Sequence, residues 1–129
     1  MLITKRPQPR VLLIRRKDGP YDGHWALPGG YVNENEPLLT AAQRELKEET
    51  GLEIKRLQQL QAFGAPGRDP RGWTVTIAFI AHVSAANLKP IAAAAANWYP
   101  LEDLPKLAFD HDKIITAARR IRDQPSGAE

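Results

Sequence analysis

Three glutamates recur at helical spacing in the middle of the chain: Glu45, Glu48 and Glu49. Side chains three and four residues apart are neighbours on a helix, so these carboxylates would share one arc of its surface. They repel one another unless a cation lies among them, and Mg²⁺ binds carboxylate oxygens while keeping positions for substrate phosphates. The spacing indicates metal-assisted phosphate chemistry, and the alternative is a solvated acidic face with an Arg44–Glu48 surface salt bridge.

Two glycines stand shortly before these glutamates. Gly29 and Gly30 follow a short extended segment, residues 25–27, and precede a loop that leads to the acidic segment. Because glycine has no Cβ, its backbone can approach a metal or a phosphate closely. An ordinary turn would explain the same pair of glycines, so both interpretations stand at this point.

The glycines and the acidic residues form one longer pattern, G-x5-E-x7-R-E-U-x-E-E-x-G-U, in which U is a bulky aliphatic residue. Its defined positions are Gly30, Glu36, Arg44, Glu45, Leu46, Glu48, Glu49, Gly51 and Leu52. This pattern resembles the signature of the Nudix hydrolases at every defined position, and residues 24–30 resemble the segment that usually precedes it. Residues 63–72 and 98–113 resemble the ADP-ribose pyrophosphatase branch of that family.

The resemblance implies a reaction and a set of roles. Nudix hydrolases cleave a nucleoside diphosphate linked to another group and use Mg²⁺, with Mn²⁺ as a substitute. By that similarity the backbone carbonyl of Gly29 joins Glu45, Glu48 and Glu49 as a metal ligand. Gly30, Glu36 and Gly51 hold structural positions of the motif, with Glu36 bracing the loop. The implied catalytic residues are Arg44, which orients the glutamates, and Glu45, Glu48 and Glu49.

The expected substrate rests on the branch resemblance. Pro66 stands where a proline often accompanies ADP-ribose hydrolysis in the family, and residues 67–72 and 107–111 resemble the same branch. The phosphate next to the terminal ribose needs a cation, and Arg68 is favoured for that role over Arg15. The alternative for the residue 67–72 segment is an ordinary exposed loop. The cations available near strand ends or loops are Arg15, Arg16, Arg68 and Arg71.

Three further assignments stay open. The general base would be Glu45 or Glu102, or is unassigned, because residues 91–96 lack the acid that relatives of this branch often have. Asp110 would either cap the last helix or bind a ligand. Three aromatic residues could stack on adenine, although core packing is the better-supported role for each: Trp73, Trp98 and Phe109.

Two rival functions share the motif. One is a nucleoside triphosphate pyrophosphohydrolase that cleanses the nucleotide pool, and the other is a non-catalytic domain that senses ADP-ribose-like ligands. Such sensors append a winged-helix DNA-binding domain, which we expect to be absent because few residues follow Arg122. The complete set of glutamates favours catalysis. We therefore expect hydrolysis of ADP-ribose to AMP and ribose 5-phosphate.

The elements that must position these residues indicate an α/β fold. Hydrophobic periodicity predicts strands and amphipathic helices in turn, whereas residues 87–96 are ambiguous. The family resemblance implies a Nudix-type α/β/α sandwich, with a mixed sheet between the two helices. Met1 to Thr4 would supply only part of the further first strand that relatives carry. The predicted strands are residues 10–17, 53–63 and 73–83, and the predicted helices are residues 37–50 and 110–122.

The same periodicity predicts which side chains are buried. Gly51 should end the first helix in a left-handed conformation. The expected inward faces are Leu38, Leu39, Ala42 and Leu46 in the first helix, Val75, Ile77, Phe79 and Ala81 in the strand that precedes residue 84, and Ile114, Ile115, Ala118 and Ile121 in the last helix.

Composition sets the remaining limits. The chain has 129 residues, which suits a single domain over residues 1–129, and it has no cysteine, which excludes disulfides and a cysteine nucleophile. No apolar run approaches the ~18 residues of a transmembrane helix, so we expect a soluble, cytoplasmic protein without a membrane partner. The net charge of only +3 leaves a nucleic acid, a nucleotide and no ligand all open. The family resemblance implies a small nucleotide as substrate and no stable nucleic-acid complex, with a homodimer as one possible assembly.

Overall fold

The computed structural model describes residues 1–5, 8–84, 89–91 and 95–123. Within these ranges six strands and two helices follow one another. They are β1 (Leu2–Thr4), β2 (Arg10–Arg15), β3 (Trp25–Ala26), α1 (Leu38–Thr50), β4 (Gln58–Phe63), β5 (Thr76–Val83), β6 (Ala96–Pro100) and α2 (His111–Asp123).

The strands form one mixed sheet in the order β3-β2-β1-β5-β4, with β6 paired to β2 as well. The β1–β5 pair is parallel, and the other pairs are antiparallel. The register of β2 and β6 aligns Arg10 with Pro100 at one end and Ile14 with Ala96 at the other. Strand β2 therefore lies inside the sheet, and its last residues reach the end at which β3 begins.

Alternate residues of β2 pack on opposite faces of the sheet. Val11 and Leu13 join a core cluster on the α2 side, whereas Leu12 joins a second cluster on the α1 side. Because both faces are covered, the four central residues of the strand, 11–14, are all apolar. The α2 side contains Ile114, Ile115 and Ala118, and the α1 side contains Leu46 and Leu52. The expected α/β/α sandwich is confirmed.

Helix α1 begins directly after Pro37 and ends at Gly51, whose φ of 79° is left-handed and whose N–H donates to Lys47 O at 2.8 Å. The prediction that Leu38 and Leu39 are buried is wrong, because they are 42% and 40% exposed. The helical wheel gives the direction of a face, but it does not say how far the sheet extends beneath it. Leu38 instead lines the cleft that is described below. The buried residues of α1 are Ala41, Leu46 and Thr50.

Two strands are shorter than predicted, with β4 beginning at Gln58 and β5 at Thr76. Val75, expected to face inward, is 63% exposed and precedes β5. Strand β5 lies between β1 and β4 in the sheet. Its two buried residues belong to different cores, Ala78 to the cluster on the α2 side and Ala81 to the cluster on the α1 side, so burial does not alternate as it would on a single covered face.

The later part of the chain departs from the predictions at two points. Ile121, expected to face inward, is 51% exposed because it lies in the last turns of α2, beyond the core that Ile114 and Ile115 contact. In the ambiguous segment 87–96, residues 87–88 and 92–94 lie outside the described part of the chain, and β6 begins at Ala96. Neither helix in the described part of the chain is long and apolar enough to cross a membrane.

Candidate active site

A cleft of about 690 Å³ opens where β2 and β3 end beside α1. One side of it is formed by the residue 27–32 loop and by α1, and we call this side the acidic wall. The other side is formed by Arg16, the residue 68–76 segment and the residues just before α2, and we call it the basic wall. The acidic wall contains the Nudix-like pattern, and the basic wall joins three segments that are distant in sequence.

Arg44 is the centre of the acidic wall. Its Nε and Nη2 donate to the two carboxylate oxygens of Glu36 at 2.7 and 3.0 Å, and its Nη1 donates to Glu45 Oε1 at 2.6 Å. Nη1 also lies 3.2 Å from Glu48 Oε2, and Nη2 donates to the Tyr31 carbonyl at 2.9 Å. The guanidinium beside Glu36 lowers the pKa of that carboxyl. Arg44 thus ties the loop before α1 to the helix and orients two of its glutamates.

Glu49 is a half-buried residue of this wall with one fully buried carboxylate oxygen. The Gly29 N–H donates to its Oε1 at 3.2 Å, whereas its Oε2 is buried without any hydrogen-bond partner among the described residues. Burial raises the pKa of Glu49 to about 7, the Gly29 hydrogen bond opposes this shift, and the charges of Glu45 and Glu48 add to it. An unsatisfied buried carboxylate oxygen is costly, so this atom needs a proton or a cation.

Gly30 allows the loop to approach α1. A Cβ at this position would overlap the Glu45 carboxylate, so any larger residue would displace that side chain. Gly51 is constrained in a different way, since a Cβ there would overlap Ile91 and its φ is left-handed. Steric contacts therefore explain why glycine is needed at both of these positions of the pattern.

These donors fit a hard divalent cation. They are carboxylate oxygens, which Mg²⁺ and Mn²⁺ prefer, and one of them is a buried acceptor to which no described residue donates. Within the described ranges no three acidic or histidine side chains converge on a single point. Glu45 and Glu48 are instead drawn toward Arg44, and the Glu48 side chain is 58% exposed. Binding a cation would require these two side chains to turn toward Glu49.

Arg68, the favoured phosphate ligand, lies in a buried network of the basic wall. Its Nε and Nη2 donate to the Asp110 carboxylate at 2.9 and 2.7 Å, and its Nη1 donates to Thr74 and Thr76 at 3.0 and 2.7 Å. The Arg68 side chain is only 5% exposed. Its donors already have acceptors, which the sequence could not reveal. The Asp110 carboxylate likewise binds Arg68 rather than a ligand or the helix end.

Phe109 is a functional candidate whose surroundings the sequence did not reveal. Its ring lies 4.9 Å from that of Tyr21, and the guanidinium carbons of Arg16 and Arg71 lie over it at 4.8 and 5.3 Å. Residues this far apart in sequence give no spacing signal, so only the fold brings them together. The adjacent His111 accepts a hydrogen bond from the Leu27 N–H on Nδ1 at 3.0 Å, and burial lowers its pKa to about 4.

The remaining expected residues are scattered. Arg15 lines the cleft and is exposed, whereas Pro66 is exposed and is not one of the lining residues. Trp73 is 84% exposed, which contradicts core packing, and Trp98 packs against the core on the α1 side. Glu102 cannot serve as the base because it follows β6 at the end of β2 opposite the cleft, where its carboxylate pairs with Arg119 at 3.1 Å.

Comparison with known proteins places this site in a family. Residues 1–118 match the NUDIX domain. The chain is 48% identical over 107 residues to an ADP-ribose pyrophosphatase of Methanocaldococcus jannaschii, covering 82% of this chain and 63% of the relative. It is 37% identical over 117 residues to the ADPR responsive transcriptional repressor NtrR of Acinetobacter baylyi, covering 86% of this chain and 47% of that protein. The chain thus spans less than two thirds of either relative.

A solved structure gives the same result at the level of the fold. The NUDIX domain of Shewanella oneidensis NrtR, determined in complex with ADP ribose, superimposes with a TM-score of 0.83 at 37% identity. The match covers 94% of this chain and 83% of that chain. Sequence pattern, sandwich topology and these similarities agree, and the chain belongs to the NUDIX domain family.

Proposed function

We propose that this chain is a divalent-metal-dependent hydrolase that cleaves ADP-ribose to AMP and ribose 5-phosphate. The observation that carries the proposal is the buried Glu49 oxygen, which has no hydrogen-bond partner in the described part of the chain and lies beside Gly29 and two further carboxylates. A purely structural acidic surface has no reason to bury such an atom. The M. jannaschii relative, 48% identical, supports the choice of substrate.

The roles that the family resemblance implies are proposed here for the residues of the acidic wall. Glu45, Glu48, Glu49 and the carbonyl of Gly29 would hold Mg²⁺, with Mn²⁺ as a substitute. A cation held there supplies neutralisation of the diphosphate and activation of water. Arg44 keeps the carboxylates aligned through its bonds to Glu36 and Glu45. With Glu102 at the other end of the sheet, Glu45 is the remaining candidate for the general base.

A substrate panel tests the proposal. ADP-ribose, other nucleoside diphosphate sugars and deoxynucleoside triphosphates are incubated with Mg²⁺, with Mn²⁺ or with EDTA, and products are separated by chromatography. We expect AMP and ribose 5-phosphate from ADP-ribose, and no turnover in EDTA. A higher kcat/KM for triphosphates, with release of pyrophosphate, would replace ADP-ribose hydrolysis by nucleotide-pool cleansing.

A second candidate is a non-catalytic ADP-ribose sensor. It is favoured by one observation, the 37% identity to a repressor described as ADPR responsive. Calorimetric titration with ADP-ribose in Mg²⁺, followed by chromatography of the same sample, separates the two functions. Binding with the ligand recovered intact supports the sensor, and conversion to AMP supports the hydrolase. A homodimer and a cytoplasmic location remain predictions.

A further inference from the structure

We propose that Arg16, seated on the Phe109 ring beside Arg71, is the side chain that binds the substrate diphosphate from the basic wall. The proposal rests on the proposed function and assigns its anion-binding residue. This assignment replaces Arg68 as the phosphate-binding residue, because Arg68 is paired with Asp110. Phe109 is then a positioning residue for Arg16 and does not itself bind adenine.

The first argument is a comparison of the arginines around the cleft. Arg44 is paired with glutamates, Arg68 with Asp110, and Arg71 with Asp69 through contacts of 2.8 and 3.1 Å. Arg16 forms no ion pair with any described residue, and its one hydrogen bond in that part of the chain runs from Nε to the Pro20 carbonyl at 2.8 Å. Its two terminal nitrogens are thus available to a ligand, and its positive charge acts on Glu49 of the acidic wall without forming an ion pair with it.

The second argument is that Arg16 is held in place. Its guanidinium carbon lies 4.8 Å from the centre of the Phe109 ring, and its Nε is fixed by Pro20. Arg15, the neighbouring cation, is exposed. A guanidinium stacked on an aromatic ring loses less freedom when it binds phosphate, and its planar donors match two phosphate oxygens. Arg16 lines the same cleft as Gly29, Glu45 and Glu49, so it faces the acidic wall.

The third argument concerns the backbone under the ring. Phe109 has a φ of 52° and Tyr21, whose ring it contacts, has a φ of 63°. Bulky residues rarely adopt this left-handed conformation, and they keep it only where the surroundings enforce it. Both flanks of Phe109 are anchored. The Ala108 N–H donates to Trp25 O at 2.8 Å, and the Asp110 carboxylate binds Arg68.

The arrangement also explains why two cations share one ring. The guanidiniums of Arg16 and Arg71 repel each other, and the ring quadrupole offsets this only in part. A diphosphate placed between Arg16 and a metal on the acidic wall would satisfy both sides. Because Asp69 already offsets the charge of Arg71, Arg16 should contribute more than Arg71 to binding.

Steady-state kinetics with ADP-ribose and Mg²⁺ tests this ranking. We expect Arg16→Gln to raise KM roughly ten- to hundredfold while kcat changes little, because one charge-assisted hydrogen-bonding group is lost. Arg71→Gln should raise KM less. The matched control is Arg10→Gln, which removes an exposed arginine at the opposite end of β2 and should leave KM unchanged. The KM of Arg16→Lys should lie between those of the parent and Arg16→Gln, because lysine keeps the positive charge but lacks the planar guanidinium with its paired donors.

Phe109 has its own test. Phe109→Leu should raise KM severalfold, whereas Phe109→Tyr, which keeps the ring, should restore the parental value. A role confined to folding would lower the melting temperature of Phe109→Leu without changing KM. An Arg16→Gln KM within twofold of the parent, or an Arg71→Gln effect larger than that of Arg16→Gln, would overturn the proposal.

Failure of the proposed function remains distinguishable from failure of this inference. ADP-ribose binding in EDTA is measured by calorimetry for the parent, Arg16→Gln and Arg10→Gln. If the parent binds ADP-ribose but does not cleave it with metal, the hydrolase fails, and loss of binding in Arg16→Gln alone still supports the assignment of Arg16. If the parent cleaves ADP-ribose and Arg16→Gln binds it equally well, the hydrolase stands and the assignment is wrong. A parent that neither binds nor cleaves ADP-ribose contradicts both.

Discussion

The two walls of the cleft differ in charge and in hydrogen-bonding groups, since one has unpaired acceptors and the other has unpaired donors among the described residues. The acidic wall has more acceptors than donors, since Arg44 serves three glutamates and one Glu49 oxygen has no partner among the described residues. The basic wall has more donors, since the terminal nitrogens of Arg16 have no acceptor among the described residues and Arg71, paired with Asp69, shares the Phe109 ring with it. A metal ion and a diphosphate together supply what each wall lacks. The comparison teaches that the proposed chemistry would draw on both walls, although only one of them contains the family's motif.

The largest effect should come from the acidic wall. Glu48→Gln or Glu49→Gln should lower kcat by orders of magnitude in Mg²⁺ because each removes a carboxylate ligand. The fold should stay intact, since like-charge repulsion is relieved. Rates and circular dichroism are measured alongside Glu53→Gln, an exposed glutamate outside the cleft that pairs with Lys47. Substantial activity of either variant in EDTA would refute the metal assignment.

The next effect belongs to the basic wall and concerns stability. Arg68→Gln should lower the free energy of unfolding by about 3–5 kcal/mol, because it leaves the Asp110 carboxylate buried without its cation. Arg119→Gln removes an arginine from an exposed pair with Glu102 and should cost less than about 1 kcal/mol. Urea denaturation compares the two variants. Equal losses would show that the Arg68 network is not a structural support of this wall.

The smallest effect is a pH response, which has opposite signs in the two walls. The pKa of His111 is lowered to about 4 by burial, with Arg68 and Arg16 adding to the shift and Asp110 opposing it. Above about pH 6.5 the imidazole is neutral in both the folded and the unfolded protein, and the folded protein keeps its full stability. As the pH falls toward 4 the unfolded protein binds a proton first, and the free energy of unfolding falls by roughly 3 kcal/mol at most. The pKa of Glu49 is raised to about 7, so its burial becomes less favourable as the pH rises from about 4.5 to 7.

Unfolding in EDTA at several pH values separates these contributions. The free energy of unfolding of the parent, minus that of His111→Asn, should decrease on acidification. Asparagine keeps an acceptor for the Leu27 N–H but does not titrate. The free energy of unfolding of the parent, minus that of Glu49→Gln, should increase as the pH falls over the same range. Two differences with the same sign would contradict the assignment of one buried group to each wall.

The amino-acid sequence by itself determined the acidic wall. Glu45, Glu48 and Glu49 lie on one helix, where position along the chain fixes position in space, and Gly51 ends that helix as its conformational freedom predicts. The apolar run of β2 likewise predicted a strand covered on both faces. Local geometry is sufficient for features of this kind.

The tertiary structure alone decided the basic wall. Arg68 looked as available as Arg16, and only the approach of Asp110, Thr74 and Thr76 committed its donors. The exposure of Leu38 and the position of Glu102 beside the far end of β2 were also hidden, because both depend on how segments distant in sequence pack together. The type of a charged residue gives its charge, whereas its availability depends on partners that the fold brings from distant parts of the chain.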